Sequence, residues 1–286
     1  MLSCCIPNHV FLQLFIMMMK NTGRISSTRN KKILEILRLE KRREREEQGL
    51  FLVEGYKEAQ MAFQASYVVR RIFYCPDILP PRKIKELVQV KNYSGDIFEV
   101  TPEVYARIAY RENSEGICLL AETRYVSFRQ LVLPSNPLLL VIESVEKPGN
   151  IGAILRTADA AGVHAVIVCD PRTDIYNPNV VRASRGCLFT VPVVVSTVKE
   201  TLSFLREKAI RTFAAALPAG KYYYEADFTK SSAIIMGTES EGLSDFWLQN
   251  ANELIKIPMT GQADSLNVSI SAAIIVYEAM RQRGFH

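Results

Sequence analysis

Three stretches in the second half of the sequence carry polar residues at spacings that suit ligand binding or group transfer. The first is Glu143-Ser-Val-Glu-Lys-Pro-Gly-Asn150-Ile-Gly-Ala-Ile-Leu-Arg156. Pro148 and Gly149 predict a turn, and Asn150 can cap the helix that follows. Arg156 lies six residues after Asn150 in an apolar helical run, and a guanidinium in such surroundings needs an anion or a carboxylate. A structural ion pair is the plainer reading of a lone arginine. The second stretch is Gly237-Thr-Glu239-Ser-Glu-Gly242-Leu-Ser244. Its two glycines let a backbone approach a ligand closely, Glu239 sits between them, and Ser244 can cap the next helix. The third is Ile257-Pro-Met259-Thr-Gly-Gln-Ala-Asp-Ser265-Leu266-Asn267-Val-Ser269. One of Ser265, Asn267 and Ser269 suffices as an N-cap, and three alternating hydrogen-bonding residues exceed that need.

Each stretch follows an apolar run with the length of a buried strand: Leu138–Ile142, Ala233–Met236 and Leu254–Ile257. Further runs at 164–169, 191–195 and 212–217 alternate with helical segments, the last from about 266 to 283. This order predicts a parallel sheet covered on both faces, with ligands beyond the carboxyl ends of its strands. Gly149 and Gly152 lack the third glycine of a dinucleotide fingerprint, which argues against a dehydrogenase. Their spacing resembles a KH-domain loop, but the order of elements around it differs.

The first half predicts a smaller α/β domain. Strands are expected at 50–53, 68–74, 97–100 and 117–121, with helices between them and Thr101 as an N-cap. Asn30 to Glu47 reads as one helix with an apolar face of Ile33, Leu34, Ile36, Leu37 and Leu39. It carries Lys41, Arg42, Arg43 and Arg45, a solvated face by default and dense enough to contact phosphates. The expected domains are 29–122 and 138–286, with a linker at 123–137 and a disordered or misassigned extension at 1–28.

The chain has 286 residues, 48% hydrophobic and 23% charged, with a formal net charge of +5. That profile fits a globular protein with a mild leaning toward polyanions. Six cysteines without CxxC spacing and three histidines give no zinc site. The apolar run from Val10 to Met19 is too short to span a membrane. The expectation is a cytoplasmic protein with reduced thiols, no metal and no membrane contact.

Together the three stretches resemble the signature motifs of the SpoU (TrmH-like) group within the SPOUT superfamily of RNA methyltransferases, over about residues 138–283. Phe51-Leu-Val-Glu54-Gly55 resembles the start of the L30e-like substrate-binding domain that often precedes it. The resemblance implies an α/β fold whose C-terminal parallel-sheet domain forms a deep trefoil knot, behind a smaller L30e-like α/β domain. It implies a homodimer that binds S-adenosylmethionine and methylates a ribose 2'-hydroxyl of structured RNA. Carried over by position, Gly237, Gly242, Ile257, Met259 and Leu266 would surround the cofactor. Asn150, Arg156, Glu239, Ser265 and Asn267 would form the catalytic site, with a buried Arg156 guanidinium beside the sugar oxygen. By analogy the RNA is 23S ribosomal RNA. A transfer RNA methyltransferase, or a knotted RNA-binding protein without catalysis, are the alternatives.

Overall fold

The computed structural model describes residues 22–89, 93–110, 115–238 and 241–285. The chain divides between Thr123 and Arg124 into two compact units.

The first unit is a five-stranded mixed sheet in the order β1-β4-β3-β5-β2. Its strands are β1 (Thr22–Ile25), β2 (Leu50–Glu54), β3 (Val69–Tyr74), β4 (Asp96–Val100) and β5 (Ile117–Glu122). Strand β1 corrects the expected extension at 1–28, because Thr22 to Ile25 pair in parallel with Ile97 to Val100. Only Ile25 of β1 is buried, so no apolar pattern announced it. Residues 1–21 lie outside the described residues.

The single helix expected from Asn30 to Glu47 is two helices, α1 (Lys31–Arg38) and α2 (Arg42–Gln48). Arg45 explains the break. It is 2% exposed, and its Nη1 donates to the carbonyls of Leu39 (2.6 Å) and Glu40 (2.9 Å), which the end of α1 leaves unpaired. Gly49, with φ of 63°, ends α2 in the left-handed region. Helices α3 (Tyr56–Gln64), α4 (Pro81–Gln89) and α5 (Pro102–Ile108) complete the unit. Thr101 caps α5 as expected, accepting from Val104 N.

The second unit is a seven-stranded sheet in the order β10-β12-β9-β11-β6-β7-β8, parallel throughout. In chain order it runs β6 (Leu138–Glu143), α6 (Pro148–Ala160), β7 (Ala165–Cys169), α7 (Pro178–Ser184), α8 (Cys187–Thr190) and β8 (Val193–Ser196). Then follow α9 (Val198–Glu207), β9 (Arg211–Ala215), β10 (Lys221–Tyr222), β11 (Ser232–Met236), α10 (Asp245–Asn250), β12 (Glu253–Lys256) and α11 (Val268–Gln282). Every residue of β6, β7 and β11 is buried, as continuous apolar runs require in a sheet covered on both faces. The winding reverses after β8, and β12 enters between β9 and β10.

Residues 124–137 are not a free linker. Val126, Phe128, Leu131 and Leu133 pack on the core of the second unit, and Val126 bridges to Val194. Prolines and the loss of periodicity made the stretch read as a boundary, whereas its apolar side chains hold it against the sheet. At the far end, Arg283 donates to four carbonyls: Phe228 (2.8 Å), Asn136 (2.9 Å), Pro137 (3.3 Å) and Lys230 (2.5 Å). One guanidinium thereby fixes the end of α11 to the approaches of β6 and β11.

Candidate functional site

A cavity of about 480 Å³ opens beyond the carboxyl ends of β9, β11 and β12. Residues 215–218 line it after β9, residues 236–238 and 241–243 after β11, and Ile257, Met259, Ser265 and Leu266 after β12. Its volume falls in the range of small-molecule sites, and its walls are mostly apolar side chains and backbone.

The β11 loop is drawn tight by its own backbone. Thr238 N donates to Gly242 O (2.9 Å), and Gly242 N returns a bond to Thr238 O (3.2 Å). A Cβ on Gly237 would stand 2.2 Å from the Gly242 carbonyl carbon and oxygen, so only glycine fits. Gly242 itself has φ of 72°. At Gly242 nothing stands within 4 Å of where a Cβ would be, so the loop presents bare backbone there.

Two residue pairs, Glu143–Ser244 and Asn150–Asn267, bring the β6 loop to the same place. Glu143, buried at the end of β6, accepts from Ser244 N (2.9 Å) and Ser244 Oγ (2.6 Å). Ser244 does stand at the N-cap of α10, but its hydroxyl serves Glu143 rather than the helix. Asn267 Nδ2 donates to Asn150 Oδ1 (3.1 Å), while Asn267 Oδ1 accepts from Ser269 N and Oγ and caps α11. Asn150 is not a cap: α6 starts at Pro148 behind Lys147, leaving Asn150 buried in the first turn. Gly152 is a packing residue, since a Cβ there would meet Ala183 Cβ at 2.4 Å on α7.

Below the site, burial pushes the Cys169 thiol up to about 12, and its Sγ lies 3.1 Å from Thr201 Oγ1. At neutral pH it is protonated and is no nucleophile. Among the described residues no group of three or more His, Cys, Asp or Glu side chains is arranged to hold a metal ion.

Comparison with known proteins places these loops in a family. The SpoU rRNA methylase family matches residues 137–277, and the MRM3-like substrate-binding domain matches residues 30–119. The 23S rRNA (guanosine-2'-O-)-methyltransferase RlmB of Bordetella pertussis is 35% identical over 202 residues, which are 69% of this chain and 82% of the relative. The chain belongs to the SpoU rRNA methylase family. Along nearly its whole length it is also similar to the 23S rRNA (guanosine(2553)-2'-O)-methyltransferase RlmP of Bacillus subtilis, 29% identical over 253 residues, covering 88% of this chain and 97% of the relative. The crystal structure of an S-adenosylmethionine-bound rRNA methyltransferase from Sinorhizobium meliloti superposes with a TM-score of 0.83 at 27% identity, covering 91% and 98% of the two chains.

Within the SpoU framework, Gly237, Gly242, Ile257, Met259, Leu266 and Ser265 all line the cavity. Asn150 and Asn267 are bonded to each other beside it. Glu239 lies outside the described residues. Arg156 corrects the expectation of a buried guanidinium: it is exposed on α6, with no hydrogen bond or ion pair among the described residues. Its helix packs on α7, α8 and α11, and Arg156 falls on an exposed side.

The basic cluster also needs correction at one position. Arg45 is consumed by the α1–α2 junction and cannot reach a phosphate. Lys41 is exposed, Arg42 pairs with Glu46 (2.7 Å) and Arg43 with Glu47 (2.6 Å). The sequence reading missed Leu217 and Pro218, which wall the cavity after β9. An apolar strand followed by Leu217-Pro-Ala-Gly220 was the available signal.

Proposed function

We propose that this chain transfers the methyl group of S-adenosylmethionine to a ribose 2'-hydroxyl of 23S ribosomal RNA, working as a homodimer. The observation that carries the reading is the Gly237–Gly242 cradle opening on one cavity beside the Asn150–Asn267 pair. The named relatives are 23S rRNA 2'-O-methyltransferases, and the donor is the one bound by the Sinorhizobium protein.

The residues fit the donor. Leu217, Met236, Ile257, Met259 and Leu266 offer apolar walls to an adenosine, and the glycine loop offers backbone groups at close range. When bound, S-adenosylmethionine supplies an electrophilic methyl on a sulfonium centre. What the chain must add is placement of the attacking oxygen in line with that methyl. Asn150, its carbonyl oxygen engaged by Asn267, is fixed to receive the ribose. Arg156 does not act as a base, because a guanidinium stays protonated in proteins. Exposed and unpaired among the described residues, it is free to meet the adjacent phosphate and to stabilise the oxygen as its proton passes to water. Ser265 lines the cavity after β12 and is placed to act beside them.

Three features support the rest of the reading. Helix α11 leaves Ile270 and Tyr277 exposed and Ile274 half-buried, apolar residues suited to a second copy of the chain. The entry of β12 between β9 and β10 supports a threaded, knotted C-terminus. Lys41, Arg42 and Arg43 give the first unit a surface for RNA phosphates. Among the described residues no helix is long and apolar enough to cross a membrane. A ribosomal substrate fits work in the cytoplasm.

The test is incubation with methyl-tritiated S-adenosylmethionine and unmodified 23S ribosomal RNA or transfer RNA, followed by mapping of bonds that resist alkali. One protected ribose in 23S RNA is the expected result. Protection in transfer RNA alone would change the substrate, and donor binding without label in either RNA would make the chain a non-catalytic binder.

A further inference from the structure

The loops leaving β6 and β11 are tied to residues at the end of β7 and in the loop after it, which lie outside the three signature stretches. Ser144, at φ of 50°, donates its N–H to Cys169 O (2.9 Å) and its hydroxyl to Asp170 O (3.1 Å). Thr173 Oγ1 donates to the Glu146 carbonyl. Arg172 completes the set. Its Nη1 donates to Glu146 Oε1 and its Nη2 to Glu241 Oε2 (3.4 Å).

The two carboxylates belong to different working loops. Glu146 stands four residues before Asn150, at the entry to α6. Glu241 lines the cavity, inside the loop pinched between Gly237 and Gly242. A planar guanidinium can face two carboxylates at once, whereas an ammonium is a single point of charge. Both carboxylates raise the Arg172 pKa, Glu146 first, so the cation is permanent. Without it, two like charges would face each other across the gap between the loops.

We propose that Arg172 is a positioning residue, holding the loop that leads to Asn150 in register with the loop that walls the cavity. The proposal rests on the methyltransferase reading only for its kinetic consequence. The partners are 48% to 72% exposed, so the tie contributes little to global stability. Its effect falls on placement, where small displacements of reacting groups cost large factors in rate.

Two measurements on the full-length protein decide it. Arg172→Gln should raise hydrogen exchange in peptides covering 143–147 and 237–243 together, leaving the Tm and the dissociation constant for S-adenosylmethionine at parental values. Unchanged exchange in those peptides overturns the tie, whether or not the protein methylates RNA. With RNA substrate, the same variant should lose about tenfold in kcat, the consequence of a sub-ångström misplacement, while KM for the donor holds. Arg172→Lys should recover only part of the loss. Arg172→Glu combined with Glu241→Arg should recover more than Arg172→Glu alone. A parental kcat in Arg172→Gln, or no recovery in the charge-swapped pair, overturns the positioning role. Absence of methylation by the parental protein would instead count against the function proposed above.

Discussion

Asn267 Nδ2 donates to Asn150 Oδ1 at 3.1 Å across 117 residues of sequence, joining the start of α11 to the first turn of α6. Asn267 also caps α11 through Oδ1, so one side chain performs a structural and a positioning task. Asn267→Ser separates them. Serine caps a helix as well as asparagine does but is too short to reach Asn150. We expect a near-parental urea midpoint and at least a tenfold fall in kcat. Asn267→Ala should lose activity and, in addition, about 1 kcal/mol of stability. Equal stability loss in both variants would mean that the cap carries no weight.

The cradle makes a sharper demand. Gly237→Ala places a methyl group 2.2 Å from the Gly242 carbonyl, and the loop must shift. Titration calorimetry should show at least a tenfold loss of S-adenosylmethionine affinity, the effect of a wall displaced by about 1 Å. Gly149→Ala is the control, because nothing lies within 4 Å of a Cβ there. Its affinity should be parental.

What was legible in the sequence follows from how each feature is encoded. The buried strands β6, β7 and β11 announce themselves as unbroken apolar runs, because both faces of a parallel strand need such residues. The cavity-lining residues were legible only through a family resemblance, since backbone contacts leave little mark on residue type beyond Gly237 and Gly242. Strand β1 was not legible: Thr-Gly-Arg-Ile owes its order to pairing with β4, which is 75 residues away by the Thr22–Ile97 partnership. Arg45 and Arg156 were misread for one reason. Charge type does not say which way a helix turns its side chains, and the chain buries the arginine of the charged helix and exposes that of the apolar one.

Arg283 predicts a large stability effect far from the cavity. Arg283→Met removes the guanidinium shared by the carbonyls of Asn136, Pro137, Phe228 and Lys230, of which, among the described residues, only Pro137 and Lys230 keep a second donor, in Ser232. Losing four part-buried or exposed hydrogen bonds at once should cost about 2–3 kcal/mol in urea unfolding. Arg281→Met, which gives up only an exposed pairing with Glu278, should cost about 1 kcal/mol or less. Similar losses in the two variants would refute the clamp.

Stability should fall on the alkaline side. Burial raises the thiol of Cys118 far above its ordinary range and that of Cys169 to about 12. An unfolded thiol ionises near pH 8.5. With the folded value above the unfolded one, the stability is fully present below about pH 8.5 and is lost as pH rises toward the folded value. Each thiol should contribute a slope of about 1.4 kcal/mol per pH unit in that window. Cys118 lies in the first unit and Cys169 in the second, and Cys118→Ala and Cys169→Ala should each flatten the alkaline slope. Native protein at pH 8 should also leave both thiols unreacted with a disulfide reagent until it unfolds.

The basic cluster of the first unit yields opposite outcomes at neighbouring positions. Lys41, Arg42 and Arg43 face solvent, and the i,i+4 pairs of the two arginines with Glu46 and Glu47 are exposed and exchangeable for phosphate. Replacing the three with alanine should lower RNA affinity and reduce the slope of log K against log salt by up to about 3, one for each phosphate no longer neutralised. The Tm should stay near parental. Arg45→Ala should do the reverse, because its guanidinium closes the carbonyl end of α1 and touches no solvent-facing phosphate path. Its cost should be about 2–3 kcal/mol of unfolding free energy with an unchanged salt slope in the protein that remains folded. A triple variant with the parental slope would remove this face from the RNA interface, and a stable Arg45→Ala with a reduced slope would return Arg45 to it.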